Sequence, residues 1–202
     1  ILTKSKVITD VKCFGGSDGS VDLTISGGTI PYTFAWDNTA ITEDISGLTV
    51  GTYKVVVTDK NNCIIHDTAI VNQPTLLVIS NAVTDVKCFG ESNGEVNVTI
   101  SGGITPYIYS WTNGSSTKDI INVKAGSYTL TINDKNACAI QTTGVVNQPA
   151  LLVATHIISD VKCHKGSDGT FDLTIHGGIT PYLYAWNSSD TTQDISNKTT
   201  GS

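Results

Sequence analysis

Arginine and methionine are absent from the 202 residues of this chain, and only 15% of the residues are charged. Without arginine the chain has no guanidinium group that could bind phosphate in a bidentate manner. Its net charge of −6 also leaves no basic stripe that could neutralise a nucleic-acid backbone. We therefore expect no nucleic-acid partner.

Long apolar runs are missing as well. No run approaches the roughly 20 apolar residues that a membrane-spanning helix needs, so we expect no membrane span in this segment. The N-terminus lacks the basic-then-apolar pattern of a signal peptide, and the chain begins at Ile1. We expect it to be a window of a longer protein whose targeting elements lie elsewhere.

One ten-residue pattern occurs three times, as GGTIPYTFAW from Gly27, GGITPYIYSW from Gly102 and GGITPYLYAW from Gly177. Cysteine, proline and tryptophan landmarks recur every 75 positions, without insertion or deletion. This period suits a small β-module and is too long for a solenoid repeat. We therefore predict three modules, at residues 1–74, 75–149 and 150–202, the third truncated before its last strands. Short Asn-Gln-Pro linkers join them.

Alternating apolar residues mark the strands of each module. Val21, Leu23 and Ile25 alternate with polar residues, and the segment from Gly51 to Asp59 alternates likewise. Glycine-rich and Asp/Asn-rich turns separate such segments. Six or seven short strands at this spacing predict an all-β fold of tandem immunoglobulin-like β-sandwiches, with almost no helix.

Aromatic residues occupy one face of a strand in every copy. We interpret Trp36, Trp111 and Trp186 as core residues, because a small module needs its only tryptophan inside. The alternative is an exposed platform on which sugar rings stack. Tyr53 and Tyr128 resemble the tyrosine corner of immunoglobulin-like sandwiches, in which the ring packs in the core and the hydroxyl bonds to nearby backbone.

Two cysteines stand 50 positions apart in each complete module, Cys13 with Cys63 and Cys88 with Cys138. Recurring even pairs in a secreted-looking module favour disulfides and an oxidising compartment. In the simplest immunoglobulin strand order, however, the two members of a pair lie at opposite ends of the sandwich. Free buried thiols therefore remain the alternative.

Catalytic residues intrinsic to a module should recur at one offset, and no histidine does so. We therefore predict no enzyme, no catalytic residue and no cofactor. Calcium is the one ligand hypothesis, because Asp59 with Asn61, and Asp134 with Asn136, have oxygen-rich loop character. A plain hairpin explains the same residues. The recurring carboxylates of Asp10 and Asp85 are predicted to accept backbone hydrogen bonds at strand ends.

The combined landmarks resemble a known family. They are CFGGSDGSVDLTISGGTIPYTFAW from Cys13, then GLTVGTYKVVVTDKNNC from Gly47, closing in Asn-Gln-Pro. This pattern is similar to the SprB-type repeat of very large surface adhesins of gliding bacteria. The third copy departs from it, with Cys163-His164-Lys165 in place of Cys-Phe-Gly.

The resemblance implies an extracellular, cell-surface filament that contacts the substratum and takes part in gliding motility, exported by the type IX route. Its expected partners are neighbouring repeats of the same chain and a surface polysaccharide or another surface-exposed ligand. The alternative function is a carbohydrate-binding array attached to a secreted polysaccharide-degrading protein.

Overall fold

The computed structural model describes residues 1–199, so residues 200–202 at the end of the predicted third module lie outside the described residues. Every regular element within residues 1–199 is a β-strand, which confirms the predicted all-β fold. No helix in this part of the chain is long and apolar enough to cross a membrane.

Six strands form in the first repeat. They are β1 (Thr3–Thr9), β2 (Gly19–Ser26), β3 (Thr33–Trp36), β4 (Ile45–Leu48), β5 (Gly51–Thr58) and β6 (Ile64–Val71). One antiparallel sheet has the order β1-β2-β4 and the other has the order β3-β5-β6. This is the strand order of an immunoglobulin-like sandwich with one edge strand fewer than the seven-strand form.

The core of the first repeat lies between these two sheets. It is formed by the inward-facing residues of the alternating strands, among them Val21, Leu23, Val55 and Val57. Trp36 belongs to this core, with 5% of its surface exposed. Its indole N–H donates to the carbonyl of Thr42 at 2.9 Å, so burial leaves no polar group without a partner.

The second repeat has the same six elements. They are β7 (Val78–Thr84), β8 (Gly94–Ser101), β9 (Ile108–Trp111), β10 (Ile120–Val123), β11 (Gly126–Asn133) and β12 (Ala139–Val146). Its sheets have the orders β10-β8-β7 and β12-β11-β9, equivalent to those of the first repeat. Trp111 is 4% exposed, and its indole N–H donates to the carbonyl of Thr117.

The third repeat has one sheet among residues 150–199. It consists of β13 (Val153–Ser159), β14 (Gly169–His176) and β15 (Ile195–Lys198) in the order β13-β14-β15. The residues equivalent to β5 would begin at position 201. Trp186 is therefore only half-buried, although its ring still contacts Phe171 edge-to-face at 4.9 Å between centroids.

The tyrosines form the predicted corner. The Tyr53 hydroxyl donates to the carbonyl of Thr49 at 2.9 Å, and the Tyr128 hydroxyl donates to the carbonyl of Lys124 at the same distance. Both rings are half-buried. The corner fixes the loop that leads into β5 and β11 to the strand that follows it.

The chain forms two compact units. The first comprises Ile1–Asn81, Val98–Lys118 and Thr129–Thr143. The second comprises Ala82–Asn97, Asp119–Tyr128 and the described residues from Gly144 onward. Residues of the second repeat belong to both units. The module boundaries after residues 74 and 149 stay a prediction based on the sequence period.

Replacing the buried tryptophan of the second repeat tests the assignment of the aromatic strand to the core. Trp111→Ala is expected to lower the free energy of unfolding of this repeat by about 3–5 kcal/mol, because a large cavity replaces a packed ring. Hydrogen exchange of peptides from β8 and β11 measures the loss. Trp186→Ala, at a half-exposed site, is the matched control with a smaller expected effect. Unchanged amide protection in Trp111→Ala would contradict the assignment.

Candidate functional site at the junction of two repeats

The first strand and the last strand of the first repeat finish side by side. The N–H of Val11 donates to the carbonyl of Asn72 at 2.9 Å, and the N–H of Asn72 donates to the carboxylate of Asp10 at 2.8 Å. Asp10 thus accepts a backbone hydrogen bond at a strand end, as predicted. We call this end of a repeat, from which the chain leaves, the exit end, and the opposite end the entry end.

Further hydrogen bonds hold the loop after β1 in place at the exit end. The N–H of Gly15 donates to the side-chain oxygen of Gln73 at 2.8 Å. The N–H of Lys12 donates to the carboxylate of Asp18 at 3.0 Å. Because both ends of the loop are bonded, the carbonyl of Lys12 and the side chain of Cys13 have a fixed direction.

The entry end of the second repeat carries a tight loop built around a buried carboxylate. Asp134 is 2% exposed. One of its oxygens accepts the N–H groups of Asn136 and Cys138 at 2.8 and 2.9 Å, and the other accepts the N–H of Ile104 at 3.0 Å. Ala137 has a φ of 65°, which turns the chain sharply within this loop. The loop therefore presents Asn136 and Cys138 together.

A disulfide joins these two ends. Cys13 of the first repeat is bonded to Cys138 of the second; their Cα atoms are 5.7 Å apart, and the two residues are 125 positions apart in sequence. Beside it, the side-chain amide of Asn136 donates to the carbonyl of Lys12 at 2.8 Å. Consecutive repeats are thus held by a covalent bond and a hydrogen bond in addition to the linker.

The predicted pairing within a module was wrong. Cys63 precedes β6 at the entry end, whereas Cys13 lies at the exit end, where β6 finishes. Eight residues of strand at about 3.3 Å each separate these ends by roughly 25 Å, far beyond the ~7 Å that Cα atoms of bonded cysteines allow. Cys63, Cys88 and Cys163 are free and exposed, among the five cysteines that the described residues contain.

The paired glycines of the repeated pattern have a structural role next to this junction. Gly102 has a φ of 75°, and a Cβ atom there would lie 1.8 Å from the carbonyl oxygen of Leu76. The neighbouring Gly103 donates its N–H to the carbonyl of Thr75 at 3.0 Å. Only glycine lets the chain that enters the repeat lie directly against this turn.

The loop of the first repeat that carries Cys63 has the same construction. The carboxylate of Asp59 accepts the N–H groups of Asn61, Cys63 and Thr29. The Cys63 N–H holds the pKa of Asp59 below the usual 3.8, although burial raises it. Burial also raises the pKa of Asp134, but its three N–H donors together keep that pKa below 3.8. Both carboxylates are therefore ionised acceptors at neutral pH.

Calcium was the alternative to a plain hairpin for these loops, near Asp59 and Asn61 and near Asp134 and Asn136. Both oxygens of each carboxylate accept backbone N–H groups, and the amide of Asn61 donates to the hydroxyl of Thr29 at 2.9 Å. No group of three or more His, Cys, Asp or Glu residues is placed to hold a metal ion within residues 1–199. A calcium ion here stays a hypothesis beside the plain hairpin.

The exit end of the second repeat, in the second compact unit, repeats the contacts of the first. The N–H of Val86 donates to the carbonyl of Asn147 at 2.9 Å, and Asp85 accepts the N–H of Asn147 at 2.8 Å. The N–H of Gly90 donates to the side-chain oxygen of Gln148 at 2.8 Å. Each of these hydrogen bonds occurs one sequence period after its counterpart. The construction of the exit end is therefore common to the two repeats.

Sequence reasoning missed several residues of the junction, namely Lys12, Gly15, Gln73 and the donor role of Asn136. Gln73 was identified only as part of a linker. Its recurrence as Gln148 was the available signal, because a polar side chain that only faces solvent has no reason to recur.

Loss of the disulfide between Cys13 and Cys138 is expected to destabilise both repeats that it joins. Cys13→Ser should lower the free energy of unfolding by about 2–4 kcal/mol, because the unfolded chain is no longer constrained. Cys63→Ser is the matched control and should have no such effect, since this thiol is exposed and free. Denaturant unfolding of the oxidised variants measures both. Equal losses in the two variants would contradict the observed pairing.

A protein-family model with the description SprB repeat matches the chain three times, at residues 5–40, 80–116 and 155–191. The matches cover the loop after the first strand and the aromatic segment of every repeat, and together they span more than half of the chain. This segment forms the predicted strand in the first two repeats, as β3 and β9, but no strand over residues 182–186 of the third. A search of the curated proteins found no significant match.

Solved structures of tandem domains are similar to this chain. A three-Ig-domain structure of a mutated titin variant has 13% identity over 91% of this chain and 77% of that one, with a TM-score of 0.45. The N-terminal eight Ig domains of Down Syndrome Cell Adhesion Molecule have 17% identity over 96% of this chain, with a TM-score of 0.46, and the chain spans 30% of their length. Domains 4–9 of surface layer protein SbsC have 15% identity over 98% of this chain and 38% of that one, with a TM-score of 0.32.

The three family matches begin at residues 5, 80 and 155, in register with the repeated landmarks and with the strands of each repeat. The chain therefore belongs to the SprB repeat family.

Proposed function

We propose that this chain is a non-enzymatic, tension-bearing segment of an exported bacterial cell-surface adhesin, with a role in surface adhesion and gliding motility. The observation that carries the proposal is the bond between Cys13 and Cys138. An adhesin of a moving cell is pulled between its anchor and the substratum. A segment that serves there must resist extension, and a string of small domains extends when its domains unfold.

The disulfide changes which residues bear such a force. Tension applied to the two ends of the chain passes from Cys13 directly to Cys138, so the backbone of residues 14–137 lies outside the covalent path. The linker at Asn72–Pro74 is among the bypassed residues, and so is the whole aromatic core of the first repeat. Unfolding of these residues cannot lengthen the oxidised chain.

An extracellular location agrees with this proposal. A disulfide between domains suits an oxidising compartment, because cytosolic thiols are kept reduced. The type IX route is the export path that we propose for the parent protein, together with its placement at the cell surface. Many repeats of this kind would also turn weak individual contacts with a surface polysaccharide into avidity.

The alternative, a carbohydrate-binding array, would need aromatic rings that are open to solvent. Trp36 and Trp111 are 5% and 4% exposed, so neither offers a face on which a sugar ring could stack. The two buried tryptophans therefore favour a spacer, and Phe14 and Phe89, at 51% and 50% exposure, are the open rings that a sugar-binding test would replace.

Attachment of cells under shear flow tests the proposed function. Cells of a gliding bacterium that display the parent protein should bind antibodies against these repeats while intact. Cys13→Ser in the parent protein should reduce the shear stress at which half of the cells detach, because residues 14–137 then bear the load and can unfold. Asp22→Asn, an exposed position on the outer face of β2, is the control with no expected change.

Two results would contradict the function. One is a lack of antibody binding to intact cells. The other is equal detachment of Cys13→Ser cells and control cells. Binding of the isolated chain to a soluble polysaccharide, lost on substitution of exposed aromatic residues, would instead support the carbohydrate-binding array.

A further inference from the structure

Two free cysteines occupy the same positions in their repeats as the two bonded ones. Cys88 lies one sequence period after Cys13, and Cys63 lies one period before Cys138. Both are exposed, whereas the bonded pair is half-buried. The bonded pair therefore shows what each free cysteine could contact if a further repeat were in place.

The loop that carries Cys63 already has the conformation of the bonded loop. Asp59 accepts the N–H groups of Asn61 and Cys63 at 2.8 Å each, against 2.8 and 2.9 Å for the equivalent bonds of Asp134. Asn62 has a φ of 63°, close to that of the equivalent alanine in the second repeat. The entry end of the first repeat is thus preformed without a partner on it.

The loop that carries Cys88 matches its bonded counterpart equally well. The N–H of Lys87 donates to the side-chain oxygen of Asn93 at 3.0 Å, the distance found between Lys12 and Asp18. The Asn93 amide replaces a carboxylate here, but the oxygen that accepts is retained. The exit end of the second repeat therefore holds the carbonyl of Lys87 and the thiol of Cys88 in fixed directions. The exit end of the first repeat holds the carbonyl of Lys12 and the side chain of Cys13 in the same way.

The third repeat begins at the exit end of the second repeat, just as the second repeat begins at the exit end of the first. Gly178 donates its N–H to the carbonyl of Ala150 at 2.9 Å, equivalent to the bond between Gly103 and Thr75. Gly178 and Thr180 line one groove with Asp85 and Asn147 in the second compact unit. The cysteine that would complete the arrangement belongs at position 213, beyond the 202 residues of the chain.

We propose that the bond between Cys13 and Cys138 is one member of a continuous series of inter-repeat disulfides. In this series the cysteine after the first strand of each repeat bonds the cysteine before the last strand of the next repeat. Cys88 is then one half of the following bond, and Cys63 is one half of the preceding bond. The partner of each is a cysteine in another copy of this repeat in the parent chain.

Each bond forms by oxidation of two thiols to one disulfide. A protein disulfide oxidant supplies the equivalents by exchange. The thiolate of one cysteine attacks the oxidant's disulfide to give a mixed disulfide, and the thiolate of the second cysteine then displaces the oxidant. The oxidant leaves as a dithiol that carries the two electrons and the two protons. The proposed series does not depend on the proposed adhesive function, because it is inferred from the disulfide and the recurring hydrogen bonds alone.

A chain lengthened by one set of strands tests the series. A copy of residues 126–149 joined after residue 200 completes the third repeat and places a cysteine at position 213. After oxidation with a glutathione redox pair, proteolysis without reduction and mass spectrometry should yield a peptide that links Cys88 to position 213. At low protein concentration, Cys63 and Cys163 should still react with an alkylating reagent.

The unlengthened chain is the matched control, and Cys88 should be alkylated there before reduction. The inference is overturned if Cys88 is equally alkylated in the lengthened chain, or if Cys88 forms its bond within its own repeat.

A second variant keeps the test decisive if the lengthened chain does not fold. In Cys138→Ser, oxidation should leave both Cys13 and Cys63 as thiols, because the two lie at opposite ends of one sandwich. A bond between Cys13 and Cys63 in this variant would show that pairing within a repeat is possible, and would overturn the series. Shear-flow attachment is not measured in either experiment, so a negative result there leaves this test unaffected.

Discussion

The first and last strands of a repeat run in the same direction and finish at the same end. This follows from the two sheet orders, β1-β2-β4 and β3-β5-β6, and from the hydrogen bonds between the loop after β1 and the end of β6. It separates the two cysteines of one repeat by the length of a strand. It also places the first cysteine of one repeat beside the second cysteine of the next. The chain direction of the strands thereby decides that the covalent bond connects repeats.

The same arrangement explains why polar residues recur around the linker. A sandwich of this size buries a limited core, and its loops at each end need other partners for their backbone groups. Asp10, Gln73 and Asp134 supply these partners, and each accepts N–H groups of a loop that would otherwise be free to move. The loops are fixed before two repeats meet, so little conformational entropy is lost when the disulfide and the Asn136 hydrogen bond form.

Much of this architecture could be predicted from the sequence. The sequence period, the alternation of apolar and polar residues in β2 and β5 and the tyrosine corner depend on local patterns, and the strands appear where those patterns indicated. The disulfide could not be predicted by the same reasoning, because its two cysteines lie 125 positions apart and the even pair in each repeat favours pairing within a repeat. The contact between Lys12 and Asn136 joins residues 124 positions apart, and nothing in either local pattern distinguishes these residues from ordinary turn residues. The partial exposure of Trp186 reflects strands whose equivalents fall beyond residue 200.

Single-molecule stretching of the whole chain from its two ends tests the cross-repeat bond most directly. With Cys13 bonded to Cys138, the fully extended oxidised chain should be shorter than the reduced chain by roughly 450 Å, which is 125 positions at about 3.6 Å each. Addition of a reductant should release this length in the native sequence and should release none in Cys13→Ser. Equal lengths before and after reduction, or a release of about 180 Å as for a bond across 50 positions, would contradict the account.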